Sequence, residues 1–242
     1  MAQLTYHAVL TGDIIGSSRL QPAQLESVRS SLTAAVDVIR RWRRGLIKGK
    51  LEFFRGDGWQ LLLTDPAMAV RAGIFLRATL LAGGVADSRI AIGLGAGEDT
   101  TSRRIAFSTG QAFILSGHAL DEMTQYSSMT IEMPKSAGPL SAWMPVIGHL
   151  CDALIGQWTR RQAEIVCAAI DPQELDYETV AQSLDPPVSK QAVAKALSGA
   201  NWQSIRETMH RFEEMPWDVF LRPKGKIRAR AASVGVNQKG LS

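Results

Sequence analysis

The sequence predicts an α+β protein: a ferredoxin-like antiparallel sheet with helices on one face, followed by an all-α region. Three observations carry this expectation. Short apolar runs alternate with helix-period segments in the order β-α-β-β-α-β-α-β up to about residue 133, and a split βαβ arrangement of this kind closes into an antiparallel sheet. Two of the runs end in a lone Asp among glycines, Asp13 and Asp57. Beyond Lys135-Ser136-Ala137-Gly138-Pro139 every patterned segment is helical. The 242 residues suit one large domain or two small ones, and the boundaries fall at 1–138, 139–218 and 219–242.

The elements follow in order. Residues 4–12 are apolar enough for a buried strand. Pro22 opens a helix in which Leu25, Val28, Leu32, Val36 and Ile39 keep helical spacing to about Trp42. Arg40, Arg41, Arg43 and Arg44 complement its negative dipole end. Residues 50–54 and 59–63 flank Gly56-Asp57-Gly58 as a β-hairpin with Asp57 at its tip. Asp65-Pro66 caps a helix reaching about Leu81, apolar nearly all round and therefore buried. A strand over 89–94, a polar loop over 97–108, a helix over 109–123 and a strand over 129–133 complete the first region. Asp13 then leaves its strand close to the hairpin tip. Helices follow over about 140–155, 159–170, 177–184, 189–199 and 201–215, and no internal repeat is evident.

Composition narrows the function classes. The first residues lack a basic stretch before an apolar one, so no signal peptide is expected, and no apolar run reads as a membrane span. Cys151 and Cys167 lie in helical segments, as buried thiols of a reducing compartment. His7, His118, His149 and His210 have no zinc-ligand spacing. The net charge is +4, but 139–218 carries six basic and eleven acidic residues, whereas 219–242 carries six basic and none acidic. Such a tail suits either a phosphate backbone or plain solvation.

Two carboxylates delivered to one sheet edge can hold a divalent cation against phosphates; a plain hairpin turn and an Asp capping backbone amides are the alternative. The motifs Thr11-Gly12-Asp13-Ile14-Ile15-Gly16-Ser17 and Arg55-Gly56-Asp57-Gly58-Trp59, then Arg89-Ile90-Ala91-Ile92-Gly93-Leu94-Gly95 and Thr109-Gly110-Gln111-Ala112-Phe113, together resemble the class III nucleotidyl cyclase domain over residues 5–125. SatD-like bacterial proteins resemble the chain best in length and helical C-terminal region, and GGDEF diguanylate cyclases share the palm-like core. The resemblance implies that Asp13, Asp57 and the Ile14 carbonyl bind Mg²⁺ or Mn²⁺. It also implies that Gly16, Ser17 and Ser18 meet a triphosphate just before a helix N-terminus. Arg55, beside Asp57, is either a phosphate contact or an ion-paired or solvated hairpin charge. Phe53 stands at the base-selecting position. Ile114 and His118 stand where the family has its ribose-orienting Asn and charge-stabilising Arg. Ile114 can donate no hydrogen bond and His118, the one catalytic candidate, lacks a guanidinium fork; both argue against efficient cyclisation. The Gly93, Gly95, Gly97 run mimics a dinucleotide fingerprint, but no helix follows directly.

Trp158-Thr159-Arg160-Arg161-Gln162-Ala163-Glu164 resembles the opening helix of bacterial regulator and sigma-factor DNA-binding domains. Residues 177–184 and 189–197 then look like a helix-turn-helix, with Ala181 at the crossing and Val193 as anchor. The resemblance implies that Ser189, Lys190, Gln191 and Lys195 face DNA. The turn at Asp185-Pro186-Pro187-Val188 is about two residues longer than usual, and the negative balance of 139–218 weakens phosphate attraction.

The combined expectation is a cytoplasmic, homodimeric regulator that binds a metal–nucleotide or related phosphate ligand and DNA. The alternatives are an active cyclase or related phosphoryl-transfer enzyme, and a non-catalytic interaction module.

Overall fold

In the computed structural model, which describes residues 5–97 and 110–222, a five-stranded sheet runs in the order β2-β3-β1-β4-β5. The strands are β1 (Thr5–Ile14), β2 (Ile47–Phe54), β3 (Gly58–Leu63), β4 (Ser88–Gly97) and β5 (Met129–Glu132). Alternation along β1 decides which face each residue serves. Ala8, Leu10 and Ile14 enter the main core, while Val9 packs with Leu62 on the opposite face.

Helices α1 (Pro22–Trp42) and α2 (Ala69–Gly83) cover the core face. A capping box between Gln21 and Gln24 and the proline at the first turn start α1, and Val28, Leu32, Val36 and Ile39 are its buried stripe. The side chain of Asp65 accepts the Ala67 amide before a 3-10 turn, Pro66–Met68, that leads into α2. Helix α2 is buried nearly all round. By length and mean hydropathy, 1.2, Pro66–Gly83 would pass for a membrane span, contrary to the sequence expectation. It is instead a core helix, and two of its buried residues are Arg71 and Arg77.

Two expectations about the sheet are corrected. It is mixed, because β5 pairs parallel to β4 while β1–β3, β1–β4 and β2–β3 are antiparallel. The helices also occupy both faces: α3 (Gln111–Glu122) lies across β4 and β1 on the side opposite α2. Parallel neighbours require a crossover, and the face holding α1 and α2 is full. The other face admits α3 because β4 carries glycine there. A Cβ on Gly93 would stand 2.2 Å from the Ala112 carbonyl oxygen, and one on Gly95 would stand 2.8 Å from the Ala112 nitrogen. The glycine run therefore seats a helix rather than a dinucleotide.

The remaining helices are α4 (Leu140–Ile155), α5 (Arg160–Ala169), α6 (Tyr177–Ser183), α7 (Lys190–Gly199), α8 (Trp202–Glu213) and the short α9 (Trp217–Phe220). Helix α5 packs on α2, so the C-terminal helices and the sheet share one hydrophobic core. The expected loop over 97–108 and most of the basic tail lie outside the described residues.

Candidate functional site

Asp13 is the penultimate residue of β1, opposite Gly58 of β3 on one side and Arg89 of β4 on the other. The strands close tightly here because Gly12 has no side chain: a Cβ would meet the Trp59 ring at 2.4 Å and the Arg89 carbonyl at 2.5 Å. Buried Ser88 completes the closure. Its hydroxyl accepts the Trp59 indole N–H at 2.9 Å and donates to the Asp13 carbonyl at 2.6 Å. The Ile14 amide donates to the Asp57 carbonyl at 3.2 Å, and the Ile15 amide to the Asp87 carbonyl at 2.9 Å. Gly16 then turns the chain at φ 67°, which favours glycine. The Ser17 hydroxyl reaches back to donate to Asp57 Oδ2 at 2.5 Å.

These residues border a cleft of about 480 Å³ between the hairpin tip, the end of β1 and α3; Thr11, Asp13, Asp57, Gln60, Arg89 and Asp121 line it. The Arg89 guanidinium spans Asp13: Nε donates to Oδ1 at 2.9 Å and Nη2 donates to Oδ2. Nη1 reaches the Met123 carbonyl at 3.4 Å. The bond to Asp13 holds the Arg89 pKa above the usual guanidinium range; burial opposes this, and the charges of Asp13, Asp57 and Asp121 support it. Gln60 donates to Thr11 Oγ1 at 2.9 Å, and Thr11 shares a 2.8 Å hydrogen bond with Ser116 of α3. The cleft floor is thereby tied to its helical wall.

The structure brings Asp13, Arg55 and Asp57 to one cleft, with Ser17 bonded to Asp57. Ser17 and Ser18 lie in a 3-10 turn, Ser17–Arg19, just ahead of α1, which begins at Pro22. Ile14 has its side chain in the core, leaving only its backbone for a ligand. Phe53 faces away from the cleft and lies under the Arg29 guanidinium, 5.5 Å from ring centroid to Cζ; Phe54 lines the cleft instead. His118 and Ile114 are exposed on α3, and the residues α3 contributes to the cleft are Gly117, Leu120 and Asp121. Sequence reasoning missed Arg89, Gln60 and Asp121. Strand register would have paired Arg89 with Asp13.

The donors suit a hard divalent cation: an aspartate at the end of β1 and one in the neighbouring β2–β3 turn, both half-buried, of the oxygen type that Mg²⁺ and Mn²⁺ prefer. No group of three His, Cys, Asp or Glu residues forms a metal cluster among the described residues. Water, backbone or phosphate oxygens would complete the shell.

Ser189 caps α7, its side chain accepting the Ala192 amide at 3.2 Å, and Lys190, Gln191 and Lys195 are exposed. Helices α6 and α7 pack together, Ala181 and Val193 are buried, and the Val188 amide donates to the Ala181 carbonyl at 3.1 Å. Lys190 also borders a pocket of about 300 Å³ whose lining includes Asp171, Asp176 and Arg206. The Thr179 amide holds the Asp176 carboxyl below its usual range, with a contribution from the Lys190 charge.

No family model and no curated protein sequence matches the chain. Among solved structures, that of the guanylyl cyclase Cya2 is similar at 19% identity and a TM-score of 0.38, over 54% of this chain and 75% of that one. Similarity at this level carries no weight for activity.

Proposed function

We propose that this chain is a cytoplasmic, homodimeric regulator that binds a metal–nucleotide or related phosphate ligand in the cleft and DNA through α7 and the basic tail. The observation that supports the first half is the register: it sets Asp13 beside the hairpin, where Asp57 is held by Ser17 and by the Ile14 amide. Asp13 and Asp57 would hold the cation, which would supply charge neutralisation to phosphate oxygens. The chain's own residues do the rest. Ser17 orients the Asp57 carboxylate, Gly12 and Ser88 hold the strand end in place, and exposed Arg55 at the tip offers a guanidinium to phosphate. The α3 wall offers the cleft Gly117, Leu120 and Asp121 and no amide or guanidinium side chain. Binding without efficient cyclisation is therefore the preferred reading.

The test is a nucleotide panel with Mg²⁺ or Mn²⁺, scored by thermal shift and by product. We expect a metal-dependent shift that Asp57→Ala removes, and no cyclic product. A cyclic product lost in Asp13→Ala would establish the enzyme instead. For the second half, Lys190→Ala with Gln191→Ala, and separately tail deletion, should weaken DNA binding; unchanged affinity in both would remove DNA from the function.

A further inference from the structure

Asp13 is one of the two carboxylates that would hold the metal, and both of its oxygens already accept from Arg89. The guanidinium carries one positive charge in a planar fork that matches a carboxylate. It therefore satisfies Asp13 much as a cation would. A divalent ion taking Asp13 while this fork is in place would have to share both oxygens with the guanidinium, and the guanidinium beside it would repel it. The charge balance points the same way. The cleft sets Asp13, Asp57 and Asp121 against Arg55 and Arg89, a net charge of one negative. A phosphate alone meets an acidic cleft, and a divalent cation alone meets a carboxylate that is already paired.

We propose that Arg89 is an internal competitor for Asp13: it keeps a bare divalent cation out, and an anionic phosphate ligand relieves the competition by drawing the released guanidinium to itself. Metal and phosphate then bind as a pair, each raising the affinity for the other by the same factor. The geometry allows the exchange. Arg89 is about one-third exposed, at 33% of its side chain, and among the described residues its guanidinium makes one further hydrogen bond, the long one to the Met123 carbonyl. The guanidinium can leave Asp13 without leaving a buried charge behind. The proposal rests on reading the cleft as a metal–phosphate site.

The experiment uses the full chain and Mn²⁺ as the probe, titrated alone and with a non-hydrolysable nucleoside triphosphate, by calorimetry or paramagnetic resonance. Arg89→Gln keeps hydrogen-bonding capacity and removes the charge. It should bind Mn²⁺ alone about tenfold more tightly than the parent, while the enhancement by the nucleotide, within the usual coupling range of roughly 5- to 150-fold, shrinks. Arg89→Lys keeps the charge without the fork and should fall between the two, which preserves the test if Arg89→Gln folds poorly. Unchanged or weaker Mn²⁺ binding in folded Arg89→Gln would overturn the competitor role. Tighter Mn²⁺ binding without any nucleotide effect in either protein would support that role and sink the phosphate-ligand reading of the cleft.

Discussion

Arg77 and Arg89 each clasp an aspartate through Nε and Nη2, yet the two pairs serve different ends. Arg77 donates to Asp87 at 3.1 and 2.5 Å and to Asp152 at 2.6 Å, and its side chain is 2% exposed. Its partners are satisfied in turn: Asp87 accepts the Ser88 amide and Asp152 the Ser128 amide. The pair binds α2 to the start of β4 and to α4. Arg89 holds Asp13 at the mouth of a cleft with one-third of its side chain in solvent. The chemistry is the same and the surroundings differ. A buried, fully bonded guanidinium is a fixture, because removing it strands charges. A half-exposed one is exchangeable, because water can replace it.

The sharpest way to break this contrast is to remove each guanidinium in turn. Arg77→Met should cost about 3–5 kcal/mol in urea unfolding, the cost of leaving Asp87 and Asp152 uncompensated. Arg89→Gln should cost no more than about 1 kcal/mol, since the pair is screened by solvent. Equal losses would erase the distinction. Gly93→Ala tests the cleft side by a different route. Its Cβ would collide with the backbone of α3, so about 1–3 kcal/mol of overpacking strain is expected, together with weaker ligand binding as the helical wall lifts. A normal unfolding midpoint would show that α3 yields freely.

The smallest effect is read at Cys151, next in sequence to Asp152. Burial, with a lesser push from the Asp152 charge, raises this thiol to about 11. The native chain therefore keeps a proton that the unfolded chain releases near the ordinary thiol range. Stability falls as pH rises from about 9 through about 11, a trend that Cys151→Ala should lessen but not abolish, since burial also raises the Cys167 thiol to about 12. At neutral pH the thiol should resist aromatic disulfide reagents in the parent and in Arg89→Gln, and react faster in Arg77→Met. Equal rates in all three would mean that the interior pair does not guard α4.

Much of the frame was legible in the sequence, for local reasons. Apolar periodicity, Pro22, the Gly-Asp-Gly tip and the Asp65-Pro66 cap act within a few residues, and they place β1, α1, the hairpin and α2 close to where they occur. Asp13 and Asp57 come together because a strand end and a hairpin tip sit side by side in such a sheet. The rest is tertiary. Arg89 read as the first residue of a strand, and its partner lies 76 residues away in the chain. Phe53 was displaced from the cleft by strand alternation, which turns Phe54 toward it. The parallel β5 and the position of α3 followed from which sheet face was already filled, a property of no single segment. Arg71 and Arg77 interrupt an apolar helix, and their burial is explained by carboxylates outside it: Asp87 and Asp152 for Arg77, Glu213 for Arg71.

Those two arginines also impose an order on synthesis. Helix α2 leaves the ribosome with an apolar surface of membrane-span length and two guanidiniums that need carboxylates. Arg77 waits for Asp152, and Arg71 waits for Glu213, 142 residues later, to which it donates at 2.6 and 2.9 Å. Until then the nascent α/β half is an unfinished surface. A chain cut near residue 138 would leave that surface uncovered, Arg71 without Glu213 and Arg77 without Asp152, a state prone to aggregation.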